Sequence, residues 1–371
     1  MKILFTRFPF ESAHGGAEAQ TLSLMKGLKK RGHAVAFLGS CPTLLVLCEQ
    51  HKIPCAPLDI GLPPVSKKTL LSFLWRKKAM KQKLEGAFKQ FCEHGLDAIF
   101  MLSLSEKLLL TQTSVDSGIP TFWIEHDSIG PWLTRNPLLR SLRKLNKLVT
   151  TIGVSKLSRK LYVNLGWDSD KTISIPNGID ALRFYNIKQL GECETFDRPR
   201  IGCVARLAKE KGVDLLIKAM RDVPYAHLSI VGLGPEHDNL EKLIGKLDLD
   251  DRVTIIPRKG NLAAFYRSID IFVLPSRSHD PFGLVACEAM ILDVPVIVTD
   301  ACGIAEELEH EKDAYIVKAN SKEALAEGMS DLLNDEKKRR EIAHVGQKKA
   351  HSEFTEASMI DRYEQLILHN R

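Results

Sequence analysis

The chain has 371 residues, 44% of them hydrophobic and 26% charged, a globular balance in a chain too long for one ordinary core, so two domains are expected. No apolar run approaches the length of a membrane-spanning helix, and the eight cysteines (41, 48, 55, 92, 193, 203, 287 and 302) form no C-x-x-C pair, which argues against a disulfide framework or a zinc site. The net charge of +6 is uneven: residues 1–185 carry 26 Lys and Arg against 14 Asp and Glu, a net +12, while residues 186–371 carry 26 against 32, a net −6. The first half is therefore expected to meet an anionic phosphorylated substrate, membrane surface or nucleic acid, or to be a plain solvated basic surface.

The start, MKILFTRFPFESAHGG, turns polar before a signal-peptide core forms, so a cytoplasmic protein is expected. KILFT (2–6) reads as a buried strand, and Leu22, Met25 and Leu28 predict a helix over about 16–31. AVAFLG (34–39), DAIFML (97–102), TFWIE (121–125), LVTTIGV (148–154) and KTISIP (171–176) are further strands. YNIKQLGECETFDRPR (185–200) is polar and aperiodic and reads as a linker. The alternation then restarts with RIGCVA (200–205), HLSIVG (227–232), RVTIIP (252–257), DIFVLP (270–275), VPVIVT (294–299) and AYIVK (314–318). A helical tail runs from Ser321 to about Ile367. Apolar strands alternating with helices imply two doubly wound parallel sheets, with ligands beyond the carboxyl ends of the strands in a cleft between domains.

Binding and catalytic groups are therefore expected just after each strand. HGGAE (14–18) offers backbone N–H groups and a helix N-terminus to an anion, or is merely a tight turn. In VARLAKEKGVDLL (204–216), Arg206 and Lys211 suit a diphosphate, or are solvated loop cations. SRSHDPFGLVACEAM (276–290) sets Asp280 on a loop and Glu288 about two turns into a helix. An acid among Leu284, Val285 and Ala289 needs a hydrogen-bond partner, and a ribose diol suits it. The alternatives are a Glu288 that reaches solvent and an Asp280 that only forms a turn before Pro281. His126 in EHD (125–127) sits at a strand end, and Asn177-Gly178 in IPNGID (175–180) is a turn signal. LLSFLWRKKAMKQK (70–83), preceded by Lys67 and Lys68, is a basic amphipathic segment fit for an anionic membrane or for packing on its own domain. RNPLLRSLRKLNK (135–147) is a second such segment. Asp168-Ser169-Asp170 and Asp248-Leu249-Asp250 supply too few ligands for a metal.

Taken in order, GGAE, VSK (154–156), IPNGID, VARLAKEKGVDLLIKA (204–219), IVGLGPE (230–236) and LPSRSHDPFGLVACEAM (274–290) resemble the retaining glycosyltransferases of family 4 over nearly the whole chain. The resemblance implies the GT-B fold, with two Rossmann-like domains facing a central cleft. Residues 1–185 would bind the acceptor, residues 186–354 the nucleotide-sugar donor, and a helix near 355–371 would return to the first domain. It places Gly15 and Gly16 beside the donor phosphates, Arg206 and Lys211 on the diphosphate, and Glu288 on the ribose. Asp280, Phe282, Gly283 and Leu284 would hold the sugar and phosphate, largely through backbone N–H groups. His126 would lie near the transferred sugar, and Gly232, Gly234, Pro257 and Arg258 would border the base. The family usually has Glu at Asp280 and Gly at Pro281, so the acid is one methylene shorter and its turn stiffer.

The implied activity is metal-independent transfer of a sugar, with no cofactor, from a nucleoside-diphosphate sugar to a hydroxyl of a cell-envelope or surface-polysaccharide acceptor. The acceptor could be lipid-linked, at the inner face of a membrane contacted by residues 67–83. Nucleic acid is not an expected partner, since the basic segments match no recognition module. A nucleotide-sugar 2-epimerase and a non-catalytic sugar-nucleotide-binding protein are the alternatives.

Overall fold

The computed structural model describes residues 1–10, 15–185, 198–257 and 262–370. They form two compact units, 1–176 with 356–371 and 177–355. The second unit begins at Asn177, so 177–185 belong with it rather than with the first domain as the sequence suggested. The expected linker at 186–197 lies outside the described residues.

In the first unit, strands β1 (Lys2–Arg7), β2 (Ala34–Gly39), β3 (Cys55–Pro57), β4 (Ala98–Met101), β5 (Thr121–Glu125), β6 (Thr150–Gly153) and β7 (Thr172–Ser174) form one parallel sheet in the order β3-β2-β1-β4-β5-β6-β7. The register sets Phe5 beside Phe100 and Phe100 beside Phe122, and the rings stack with centroids 4.9 Å apart at both steps. Strand β3 has no sequence signal: three residues containing Pro57 at a sheet edge carry neither alternation nor an apolar run.

The C-terminal helix Glu356–His369 packs on helix Gly16–Lys30. A Cβ at Gly27 would lie 1.9 Å from Ile360 Cδ1, so the close approach requires the glycine. Glu364 takes Arg31 and His33, both at 2.6 Å, and Tyr363 meets Phe100 edge-on at 5.8 Å.

In the second unit, β8 (Arg200–Val204), β9 (His227–Val231), β10 (Val253–Ile256), β11 (Ile271–Leu274), β12 (Val296–Thr299) and β13 (Tyr315–Val317) form a parallel sheet in the order β10-β9-β8-β11-β12-β13. Ile201, Leu228, Val273 and Ile297 are fully buried in its core. The strand order reverses between β1 and β4 in one sheet and between β8 and β11 in the other. In open parallel sheets ligands bind beyond the carboxyl ends of the strands at such a point. No helix among the described residues is long and apolar enough to cross a membrane.

Candidate functional site

Arg206 and Lys211 follow β8, and Asp280 follows β11, so these residues flank the reversal point of the second sheet. After β8 the chain makes one 3-10 turn, Lys209–Lys211, and then Gly212 at φ 67° opens helix Val213–Ala219. A Cβ at Gly212 would lie 2.1 Å from the Pro275 carbonyl oxygen, so only glycine lets the two loops meet there. Arg277 N–H donates to Glu210 O at 2.8 Å, and Lys211 Nζ donates to Asp280 Oδ2 at 2.6 Å. Ser276 Oγ donates to the same carboxylate oxygen at 3.1 Å. Asp280 is buried, while the Arg206 side chain is 64% exposed and pairs with Glu210.

The loop carrying Asp280 is laced to the one after β12. Asp280 N–H donates to Ala301 O at 3.0 Å, Gly303 N–H to Asp280 O at 2.8 Å, and Ile304 N–H to Phe282 O at 2.6 Å. Asp280 is therefore a fixed, paired carboxylate rather than only a turn former. The Phe282 ring is buried edge-on against Phe354 at 5.8 Å, so its side chain anchors the loop. Gly283 at φ 99° precedes helix Leu284–Ile291, whose first N–H groups have no intrahelical acceptor.

Glu288 is one turn into that helix, not two, and it is buried rather than reaching solvent. Tyr266 O–H donates to its Oε2 at 2.8 Å, and Arg183 pairs with Oε1. The two acids of the 276–290 stretch thus hold separate partners.

Gly232 and Gly234 follow β9. A Cβ there would lie 1.9 Å from Ala205 O and 2.3 Å from Leu207 O respectively, so both glycines admit the β8 loop. Leu207 N–H donates to Leu233 O at 2.9 Å and seals the contact. Pro257 is exposed after β10, and Arg258 lies outside the described residues.

In the first unit β1 ends in Arg7, whose Nη2 donates to Glu18 Oε1 at 2.8 Å, both groups buried. Gly15 is the extended residue before helix Gly16–Lys30, and Glu18 sits in its first turn, where a carboxylate is favoured. His14 lies outside the described residues. At the end of β5, Glu125 pairs with Lys107 at 2.9 Å, and Lys107 also donates to Ile124 O at 3.2 Å. Burial first, then the Arg7 and Lys107 cations, push the His126 pKa down to about 3, so its imidazole is neutral at physiological pH. His279, next to Asp280, is likewise lowered to about 4, chiefly by burial.

Sequence reasoning missed Arg183, Tyr266 and Ser276, and also the buried pairs Arg7–Glu18 and Lys107–Glu125. Ser276 was within reach, since it immediately follows a strand end. Arg183 and Tyr266 carry no local signal, because their partner lies 105 and 22 positions away. The turn Asn177-Gly178 has a structural use: Ile179 N–H donates to Phe354 O at 2.9 Å.

Two family models match the chain: Glycosyltransferase Family 4 over residues 14–183, and Glycosyl transferases group 1 over residues 194–349. An uncharacterized glycosyltransferase of Haemophilus influenzae is 26% identical over 331 residues, covering 86% of this chain and 87% of that protein. The lipopolysaccharide core biosynthesis glycosyltransferase LpsD of Rhizobium meliloti is 33% identical over 160 residues, covering 43% of this chain and 46% of that protein. Among solved structures, Anabaena Alr3699/HepE in complex with UDP superposes over 100% of both chains with a TM-score of 0.81 at 22% identity. Matched in both halves, the chain belongs to the group 1 glycosyltransferases of family 4 and has their GT-B fold.

Proposed function

We propose that the protein transfers a sugar, with retention of anomeric configuration, from a nucleoside-diphosphate sugar to a hydroxyl of a cell-envelope or surface-polysaccharide acceptor. The observation that carries this is the Lys211–Asp280 pair at the carboxyl ends of β8 and β11, beside the first turn of helix Leu284–Ile291. Breaking the anomeric C–O bond develops positive charge on the sugar and negative charge on the diphosphate. Lys211, Arg206 and the N–H groups after Gly283 stabilise the leaving diphosphate without a metal. Asp280 fixes the Lys211 ammonium and meets the sugar. His126, neutral, hydrogen-bonds the transferred sugar without adding a charge. In this scheme the acceptor hydroxyl attacks from the leaving-group face and passes its proton to the departing phosphate oxygen, so no enzymic nucleophile is required.

Relatives named for lipopolysaccharide core and capsular polysaccharide biosynthesis support the acceptor class. A lipid-linked acceptor fits helix Lys67–Glu93, which buries Phe73, Met80, Leu84 and Phe88 and leaves Leu71, Leu74 and Trp75 exposed beside Arg76, Lys77 and Lys78. That face suits an anionic membrane. UDP, bound in a structure of the same fold, is the first nucleotide to test.

A thermal-shift screen with UDP, GDP, ADP and their sugars identifies the donor by its stabilisation. Transfer from the retained donor is then measured with EDTA present, and the anomeric configuration of the product is read by NMR. Loss of transfer in EDTA, or an inverted product, removes the proposed mechanism.

A further inference from the structure

We infer that Arg183 is a positioning residue for the nucleotide ribose: it orients the Glu288 carboxylate so that the oxygens face a vicinal diol. The inference rests on Glu288 as the ribose acceptor and adds what holds that acid in place.

Glu288 is buried, and an unpaired buried carboxylate is costly. Its two oxygens are held by different donors, Tyr266 O–H on Oε2 and the Arg183 guanidinium on Oε1. Tyr266 is itself fully buried, with ring contacts to Phe184 at 6.5 Å and Phe272 at 5.6 Å, so it provides a fixed reference. Arg183 is on the opposite footing. Its side chain is half-exposed, and its guanidinium lies over the Phe184 ring, 4.5 Å from the centroid. Phe184 is buried, and its carbonyl accepts from Arg267 Nη2 at 3.1 Å, so the platform under the guanidinium is anchored.

A carboxylate oxygen has two acceptor directions. One donor on each oxygen fixes the carboxylate plane and leaves one acceptor direction on each, the number a ribose needs for its 2′- and 3′-hydroxyls. Without Arg183 the carboxylate is held at one oxygen only and its plane is no longer fixed. The 2′-hydroxyl contact then weakens.

The test compares the nucleoside diphosphate retained by the screen, UDP first, with its 2′-deoxy counterpart. Calorimetry gives both affinities for wild type, Arg183→Met, Arg183→Lys and Glu288→Ala. Wild type is expected to prefer the ribonucleotide by about tenfold, the scale of one hydrogen bond to a charged group. Glu288→Ala removes the preference. Arg183→Met reduces it, while Arg183→Lys restores it at least partly. A preference unchanged in Arg183→Met but lost in Glu288→Ala overturns the role of Arg183 alone. A preference that survives Glu288→Ala overturns the ribose assignment and the inference with it. Because Arg183 is half-exposed its variants are expected to fold, and Arg183→Lys, which keeps the charge, supplies the comparison if Arg183→Met does not.

Discussion

Lys211 Nζ and Asp280 Oδ2 are 2.6 Å apart across 69 positions of sequence, and the bond ties the turn after β8 to the loop after β11. Asp280 is the shorter acid where the family usually has Glu, yet it reaches the cation directly. Lys211→Met leaves a buried carboxylate with Ser276 as its remaining side-chain donor among those described above. The expected cost is about 1–3 kcal/mol in urea unfolding, below the full cost of breaking a buried pair because Lys211 is partly exposed. Asp280→Asn retains a Ser276 contact and is expected to destabilise less. Both should lower transfer by about 100-fold or more, because the positive charge facing the leaving group is lost or displaced. Undiminished transfer by Lys211→Met removes the leaving-group role.

Gly212→Ala is expected to harm both stability and transfer. The residue has φ 67°, and its Cβ would meet the Pro275 carbonyl oxygen at 2.1 Å, a backbone atom with no rotamer to yield. The loops after β8 and β11 must part, which separates Lys211 from Asp280. Chemical denaturation should show a loss of about 2 kcal/mol or more, with transfer falling at least as far as in Lys211→Met. A variant with wild-type stability and transfer would show that the loops have slack.

The sheets were legible because apolar strands buried on both faces announce themselves, as in AVAFLG and DIFVLP. Lys211, Asp280 and Glu288 were legible by position, each lying just beyond a strand end or in the following helix. Their partners were not. Nothing near Arg183 marks it as the counter-charge of Glu288, and nothing near Lys107 predicts burial against Glu125, because both pairings exist only once distant segments have packed. Gly232 and Gly234 show the reverse: a glycine pair readable as a ligand contact has a sufficient packing reason in the carbonyls of Ala205 and Leu207.

Helix Lys67–Glu93 makes a prediction about location. Leu71, Leu74 and Trp75 lie three and four positions apart, hence on one face, and are 70%, 49% and 89% exposed. Sedimentation with vesicles containing about 30% anionic lipid should capture the protein at low salt and release it as salt is raised. Trp75→Ser with Leu71→Ser should reduce capture by about tenfold or more and leave nucleotide binding intact. No capture of the wild type at low salt removes the membrane surface as a partner.

Glu106 is fully buried, and its Oε1 accepts the N–H groups of Ser103 at 2.6 Å and Leu102 at 3.2 Å. Burial, the dominant cause, raises its pKa to about 7 from an ordinary 4.5. A folded pKa above the unfolded one means that the folded state holds more protons between these values. The contribution to stability is fully present below pH 4.5 and is lost as the pH rises through 7. Glu106→Gln keeps the shape and the acceptor oxygen but does not titrate. Relative to wild type it should gain about 1–3 kcal/mol between pH 5 and pH 8, measured by urea unfolding. A difference that does not change with pH would mean that Glu106 is ionised throughout.

His126 titrates in the opposite sense. With a folded pKa of about 3, its ring should show no protonation shift by NMR between pH 5 and pH 8, and the acid limb of the transfer rate should belong to another group. The unfolded chain takes up this proton near pH 6.5, whereas the folded chain resists until about pH 3. Stability is therefore retained above pH 6.5 and lost as the pH falls towards 3, by at most about 1.4 kcal/mol per pH unit. His126→Asn abolishes that loss, so it should gain on wild type as the pH is lowered from 7 to 4, where Glu106→Gln falls behind. The two variants separate the opposing contributions at each pH. His126→Asn should also retain more transfer than His126→Ala, because the asparagine amide can still hydrogen-bond the sugar. Equal rates for the two variants, or an imidazole that titrates near pH 6.5, would show that His126 is solvated and takes no part in holding the sugar.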